Sequence, residues 1–283
     1  MLGSSLCQIY QKTHEVYALH RDFECYSSCT ADFSLNLLDS TKLHKVFDQI
    51  EPNLIVHCAG LTSVDECEKR PNLAYENNVA ITENIARFCS KGTKLIFIST
   101  DQVYGESADH SETNFDLQPV NRYGETKYLG EKKCVEHSPD CIILRTNIFG
   151  WNVKPSKVSS AEWIYYSLKN GKEITLFTDY VFSPIYTECL GEIILYLVNI
   201  RFSGIINVGS PTPSSKYEFG YKLAEESRFD HALINKGLIT DHNFVAPRIK
   251  SLTLNTQKLA HLGIIAPDYG KSIKKFRQSK LGL

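Results

Sequence analysis

The sequence predicts an α/β protein built on a doubly wound parallel sheet with a smaller C-terminal α/β lobe. Two observations carry this. Short runs rich in Leu, Ile, Val and Phe recur at residues 53–58, 94–99 and 140–146, as suits parallel strands covered on both faces. Between them the apolar positions switch to helical spacing, and strand–helix alternation is the signature of such a sheet.

In chain order, residues 3–12 read as a helix and 15–19 as a short buried strand. Strands follow at 53–58 and 94–99, separated by a helix over 71–91 in which Leu73, Val79, Ile81, Ile85 and Phe88 recur at helical spacing. A helix at 121–136 precedes the strand at 140–146. After Gly150 the stretch 151–160 turns polar, and helices are predicted at 161–170, 184–200 and 214–227, with a strand at 204–208. A turn-rich segment near 241–250 precedes a last helix. We therefore expect residues 1–150 as one unit and 151–283 as mainly the second lobe, with about 176–208 returning to the first.

Composition excludes several classes. The 283 residues carry 31 Lys+Arg against 32 Asp+Glu, a formal net charge of -1. That balance gives no basic footprint for nucleic acid or anionic membrane. No apolar run approaches the ~20 residues of a membrane span, and no cationic, apolar leader opens the chain. The 9 cysteines are odd in number and lack a CxxC pair, so reduced thiols in a cytoplasmic chain and no metal site are expected. His57, on a buried strand, reads as structural. Trp163 and Tyr217 read as core aromatics or as stacking faces for a base.

The sharpest constellation is Thr100, Tyr123 and Lys127. Thr100 falls where the 94–99 strand ends, and ligands collect outside the carboxyl ends of parallel strands. Tyr123 and Lys127 lie four apart on a predicted helix and share a face. A nearby ammonium favours the phenolate and is expected to lower the phenol's pKa. The trio suits proton delivery to a carbonyl.

The segments FISTDQVYG (97–105), RYGETKYLGE (122–131) and LRTNIFG (144–150) resemble the extended short-chain dehydrogenase/reductases, and within them the dTDP-4-dehydrorhamnose reductase family. LNLLDS (35–40), IVHCAGLTSVDECEKRP (55–71), AYENNVAITENIA (74–86), FSPIYTECL (182–190) and APRIKSLTLNTQKL (246–259) extend the likeness along the chain. The resemblance implies a Rossmann-like fold and Thr100, Tyr123 and Lys127 as the catalytic triad, with Lys127 and Tyr123 also at the cofactor. It implies cofactor contacts from Leu2, Gly3, Arg21, Asn36, Leu37, Ala59, Gly60, Leu61 and Asn78. It implies substrate contacts from Thr100, Asn147, Ser183 and Arg248. Arg21, with no acid directly at the strand end, leans the cofactor to NADP over NAD.

The implied reaction is reduction of a keto group on a nucleotide-activated sugar, best matched by dTDP-4-dehydro-L-rhamnose to dTDP-L-rhamnose, in cell-surface polysaccharide precursor synthesis. The partner is thus a nucleotide sugar, and a homodimer is among the assemblies the resemblance allows. Relatives include other sugar-nucleotide ketoreductases or epimerases and the non-catalytic regulatory subunit of methionine adenosyltransferase. Leu2 and Gly3 match only the end of the family's glycine-rich turn, so the resemblance leads us to expect a strand and two glycines upstream of Met1.

Overall fold

A computed structural model describes residues 1–21, 29–89, 92–106, 110–114, 116–153 and 157–281, the side chains of 280 and 281 excepted. Its elements begin with α1 (Leu2–Tyr10), β1 (Tyr17–His20), β2 (Ala31–Ser34), α2 (Ser40–Ile50), β3 (Leu54–His57) and α3 (Val64–Lys69). Next come α4 (Pro71–Tyr75), a π turn (Glu76–Ala80), α5 (Ile81–Cys89), β4 (Lys94–Thr100), α6 (Arg122–His137) and β5 (Ile142–Phe149). The second half holds α7 (Ser160–Lys169), β6 (Ile174–Phe177), β7 (Val181–Phe182), β8 (Pro184–Tyr186), α8 (Thr187–Asn199) and β9 (Gly204–Val208). It closes with β10 (Ser214–Ser215), α9 (Lys216–Ser227), β11 (Ile234–Gly237), β12 (Ser251–Leu252), α10 (Gln257–His261) and α11 (Tyr269–Leu281).

The main sheet is parallel throughout. β3 pairs with β4 and β4 with β5, while β9 and β8 both pair with β5, over residues 142–146 and 147–149 respectively. Successive side chains on a strand face opposite sides, and the sheet uses both. Ile96, Ile142 and Leu144 enter one core with α1, α7 and α8, whereas Leu95, Phe97 and Ile143 enter the other with α2 and α5. That double burial is why these strands read as continuous apolar runs rather than as alternating ones.

β1 and β2 form a separate parallel pair. Among the described residues neither hydrogen-bonds to β3. The pair is held to the rest by side chains: Leu19, Phe33 and Leu35 share a core with Phe47, Ile55 and Phe88. The second lobe is built on two small sheets, β11 beside β6, and β7 between β10 and β12.

Local signals account for five of the helix starts. Asp39, Ser63 and Asn121 cap α2, α3 and α6 with their side-chain oxygens. Ser159 with Glu162, and Ser215 with Glu218, form capping boxes at α7 and α9. A cap of this kind stabilises a helix by about 1 kcal/mol.

Three predicted elements need correction. The helix at 184–200 starts only at Thr187, because 184–186 pair with 147–149 as β8, and Pro is tolerated as the first residue of a strand. The helix at 71–91 is interrupted by the π turn. Ser214 and Ser215 pair with β7 before α9 begins. β2 went unpredicted because its residues, ADFS, alternate half-buried with exposed and are largely polar. No helix among the described residues is long and apolar enough to cross a membrane.

Candidate active site

β4 ends at Thr100, and a 3-10 turn, Asp101–Tyr104, follows at once. The Thr100 hydroxyl donates to Asp101 Oδ1 at 2.9 Å and accepts from the Gln102 N–H at 3.3 Å. Asn147, on β5, donates to the other Asp101 oxygen at 2.5 Å. Burial raises the Asp101 carboxyl to about 6, against the lowering effect of Asn147 and Thr100.

The first turn of α6 is drawn onto this strand end. Asn121 caps it by accepting from Gly124 N, and its amide donates to Gln102 Oε1 at 2.9 Å and Pro247 O at 3.1 Å. A Cβ at Gly124 would stand 2.6 Å from Gln102 O, so only glycine allows the helix this close. Tyr123, one residue earlier, thereby comes beside Thr100. Burial raises the Tyr123 pKa; the Thr100 hydroxyl works the other way, and Asp101 and Cys67 add to the rise.

The lowering expected from Lys127 does not occur. Its Nζ sits 3.9 Å from the centre of the Phe97 ring. Burial pulls Lys127 down to about 8, and no hydrogen-bond acceptor among the described residues takes its protons. Tyr123 is thus a protonated phenol at neutral pH, a donor rather than a phenolate.

Beneath the trio lies a buried charge network that sequence reasoning missed. Glu131, one turn beyond Lys127, accepts from Ser99 Oγ at 2.5 Å and from Arg145 Nε and Nη2 at 3.0 and 2.7 Å. Arg145 is also 4.8 Å from the Tyr104 ring centre. In the sequence, Arg145 on an otherwise apolar strand was the available signal, since a buried charge demands a partner.

The residues assigned to the cofactor sort into several settings. Leu2 is a core side chain packed with the α8 face, and Gly3 brings α1 close to Cys58 at the end of β3. The N–H groups of Leu2, Gly3 and Ser4 precede the first helical bond, which Ser5 makes to Met1 O at 3.1 Å. Ala59 and Gly60 are exposed, and Leu61 is half-buried. Asn78, buried in the π turn, clamps this loop: it accepts from Leu61 N at 2.8 Å and donates to Leu61 O and Thr126 Oγ1. A Cβ at Gly60 would come within 2.8 Å of Asn78 Oδ1, which explains the glycine.

Arg21 is exposed just past β1, and its carbonyl accepts from Ser34 Oγ. Asp32, on β2, is engaged by His20 at 2.7 Å. Asp22 and Cys25 lie outside the described residues. Asn36 shapes the turn into α2 by accepting from Leu38 N, and Leu37 O accepts from Asn84. His57 bonds Thr82 and is pulled down to about 3, chiefly by burial, as a structural histidine should be.

Of the substrate candidates, Asn147 reaches the site through Asp101. Ser183 is 1 % exposed and its hydroxyl accepts from Leu254 N at 3.1 Å, tying the residue before β8 to the C-terminal segment. Arg248 donates to Asp65 Oδ1 at 2.8 Å, and Asp65 also takes the Ala246 N–H. Despite burial, these two donors hold the Asp65 carboxyl below its ordinary value. Trp163 is exposed on α7 rather than core, and Tyr217 carries Lys236 over its ring. Cys7, Cys58, Cys67, Cys89, Cys134, Cys141 and Cys189 are free thiols.

A parallel sheet with hydroxyl, phenol and ammonium collected along the carboxyl end of one strand and the helix beside it is the architecture of Rossmann-like proteins of the short-chain dehydrogenase/reductase kind. Within that class the chain belongs to the RmlD substrate binding domain family, which it matches over residues 1–281. It is 26% identical to the probable low-salt glycan biosynthesis reductase Agl14 of Haloferax volcanii, over 94% of this chain and 91% of that one. It is 27% identical to methionine adenosyltransferase 2 subunit beta of Rattus norvegicus, over 81% and 71% of the two chains. A solved dTDP-4-dehydrorhamnose reductase of Bacillus anthracis, in complex with NADP, superposes with a TM-score of 0.83 at 23% identity, covering 94% of this chain and all of that one.

Proposed function

We propose that the chain is an NAD(P)H-dependent reductase of a keto group on a nucleotide-activated sugar. The observation that carries this is Tyr123 held protonated beside the Thr100 hydroxyl, at the carboxyl end of β4. The residues present fit a dinucleotide: the first-turn N–H groups of α1 suit phosphate, the 59–61 loop offers exposed backbone, and Lys127 has donors to spare. Leu2 and Gly3 contribute backbone, Arg21 favours NADP over NAD, and Asn36, Leu37 and Asn78 shape the adenine and nicotinamide walls.

When bound, the cofactor supplies the hydride. Tyr123 delivers its proton to the keto oxygen, which the Thr100 hydroxyl orients. Lys127 binds the ribose hydroxyls and keeps a positive charge near the developing oxyanion, the kind of fixed stabilisation that lowers a barrier. Residues 1–150 hold the cofactor in this reading. Residues 151–283 mainly hold the sugar nucleotide, with about 176–208 belonging to the first unit. Asn147 and Arg248 line the substrate side. The best-matched reaction is dTDP-4-dehydro-L-rhamnose to dTDP-L-rhamnose, supporting surface polysaccharide synthesis; the similarity to Agl14 and to the B. anthracis reductase supports the chemistry.

The test is NADPH and NADH oxidation with a panel of dTDP-, GDP- and UDP-4-keto sugars. Turnover should fall by a factor of about 10² to 10⁴ in Tyr123→Phe. A second reading, a non-catalytic regulatory subunit, is favoured by the similarity to methionine adenosyltransferase 2 subunit beta. Absence of turnover with every sugar would put that reading ahead.

A further inference from the structure

Lys216 is a cation placed where nothing assigns it a task. It is the first residue of α9, and its N–H donates to Tyr180 O at 3.0 Å. Its side chain folds over Phe182, with Nζ 3.4 Å from that ring's centre and 5.3 Å from that of Tyr180. No acceptor among the described residues takes any of its three protons. Asp101 is the charge whose field it feels, but both Asp101 oxygens are already engaged, by Thr100 and Asn147.

A second unused donor is carried by the segment that joins β7, where the Val181 N–H donates to Lys250 O at 2.7 Å. Arg248 spends Nη2 on Asp65, yet its Nη1 is buried without an acceptor. Tyr180 stands within the field of Arg248, Asp101 and Tyr123 together, and so links the two cations to the reacting end. A lysine needing only to cover Phe182 could send its ammonium to solvent. Here the ammonium is kept half-buried on an aromatic face, and burying a charge is costly unless something pairs it.

We propose that Lys216 is a substrate-binding residue which, with Tyr180 and Arg248, forms a subsite for an anionic oxygen of the sugar-nucleotide substrate. This rests on the nucleotide-sugar reading above. The shared chemistry is an anion accepting from ammonium and guanidinium, and it has two sources: the diphosphate, or a carboxylate on the sugar.

The experiment is calorimetric titration of the full chain with dTDP, UDP, dTDP-glucose and UDP-glucuronate, using wild type, Lys216→Met and Lys216→Arg, with NADPH titrated in parallel. Met keeps the apolar stem over Phe182 and removes the charge. Loss of a charged hydrogen bond should weaken the nucleotide ligands by roughly tenfold to a hundredfold in Lys216→Met, with Lys216→Arg largely restoring affinity and NADPH binding unchanged. An equal loss for dTDP and dTDP-glucose identifies the diphosphate; a loss confined to UDP-glucuronate identifies a carboxylate. Nucleotide affinities in Lys216→Met within about twofold of wild type overturn the proposal. So does a parallel loss of NADPH binding that Lys216→Arg fails to restore, which marks a purely structural lysine. If wild type binds none of the four ligands while binding NADPH, the nucleotide-sugar reading itself has failed.

Discussion

Replacing Glu131 by Ala tests whether the charge network under the site holds β4, β5 and α6 together. Glu131 is 2 % exposed and Arg145 1 %, so neither charge has water to fall back on. In the native protein one carboxylate takes three hydrogen bonds, from Ser99 Oγ and from two nitrogens of Arg145. Removing it strands a guanidinium whose Nη1 already has no acceptor. Breaking a buried pair from one side costs about 3–5 kcal/mol, most of it the penalty of the unpaired charge. At a few degrees per kcal/mol for a chain of this size, the midpoint should fall by about 10 °C.

Urea unfolding followed by circular dichroism, at neutral pH, gives the free energies. The diagnostic comparison is the double variant Glu131→Leu with Arg145→Met. If the loss in Glu131→Ala comes from the stranded charge, the double variant should be more stable than Glu131→Ala by at least about 1 kcal/mol, because an apolar replacement leaves nothing unpaired. A Glu131→Ala loss below about 1 kcal/mol, or a double variant that merely sums the single losses, would refute the reasoning.

Three further outcomes follow from the geometry. Asp101 has a raised folded-state pKa, about 6 against roughly 3.9 unfolded, so its stabilising contribution is complete below ~pH 4 and lost as pH rises through about 6, some 3 kcal/mol in all. The stability of Asp101→Asn should therefore gain on wild type by that order between pH 4 and 7.5; a pH-independent difference sinks the assignment. Ser183→Ala leaves Leu254 N without its acceptor and should cost about 1–3 kcal/mol in chemical denaturation, with KM for the sugar nucleotide unchanged; a raised KM at unchanged stability would return Ser183 to the substrate. Gly60→Ala drives a Cβ into Asn78 Oδ1, and NADPH affinity should drop, with wild-type affinity arguing that the loop yields without cost.

Much of the site was legible because it depends on short-range rules. The end of a strand and a four-residue helical step locate Thr100, Tyr123 and Lys127 without any tertiary knowledge. What failed were statements about direction. The sequence places Lys127 and Tyr123 on one face, yet the Lys127 ammonium lies over the Phe97 ring and the phenol is raised rather than lowered. Ser183 sits in the right loop but points inward, to a backbone N–H 71 residues away. Asp65, the partner of Arg248, lies 183 residues off in sequence, beyond the reach of any spacing argument. Lys216 follows a Ser cap like any polar helix start, and only the packing of α9 on β7 lays it over Phe182.

The two ends of the site are secured by different means. At the reacting end, β4 and α6 are joined above by Asn121 to Gln102, at the site by the Thr100–Tyr123 contact, and below by Ser99, Glu131 and Arg145. Three levels of attachment leave the donor little freedom relative to the strand, and a misplacement of about 1 Å can cost a hundredfold in rate. Among the described residues, β1 and β2 meet the rest through apolar side chains. The 59–61 loop is held by Asn78 in the π turn and by the Cys67 thiol, which donates to Leu61 O. Proton delivery is therefore preorganised by the chain itself.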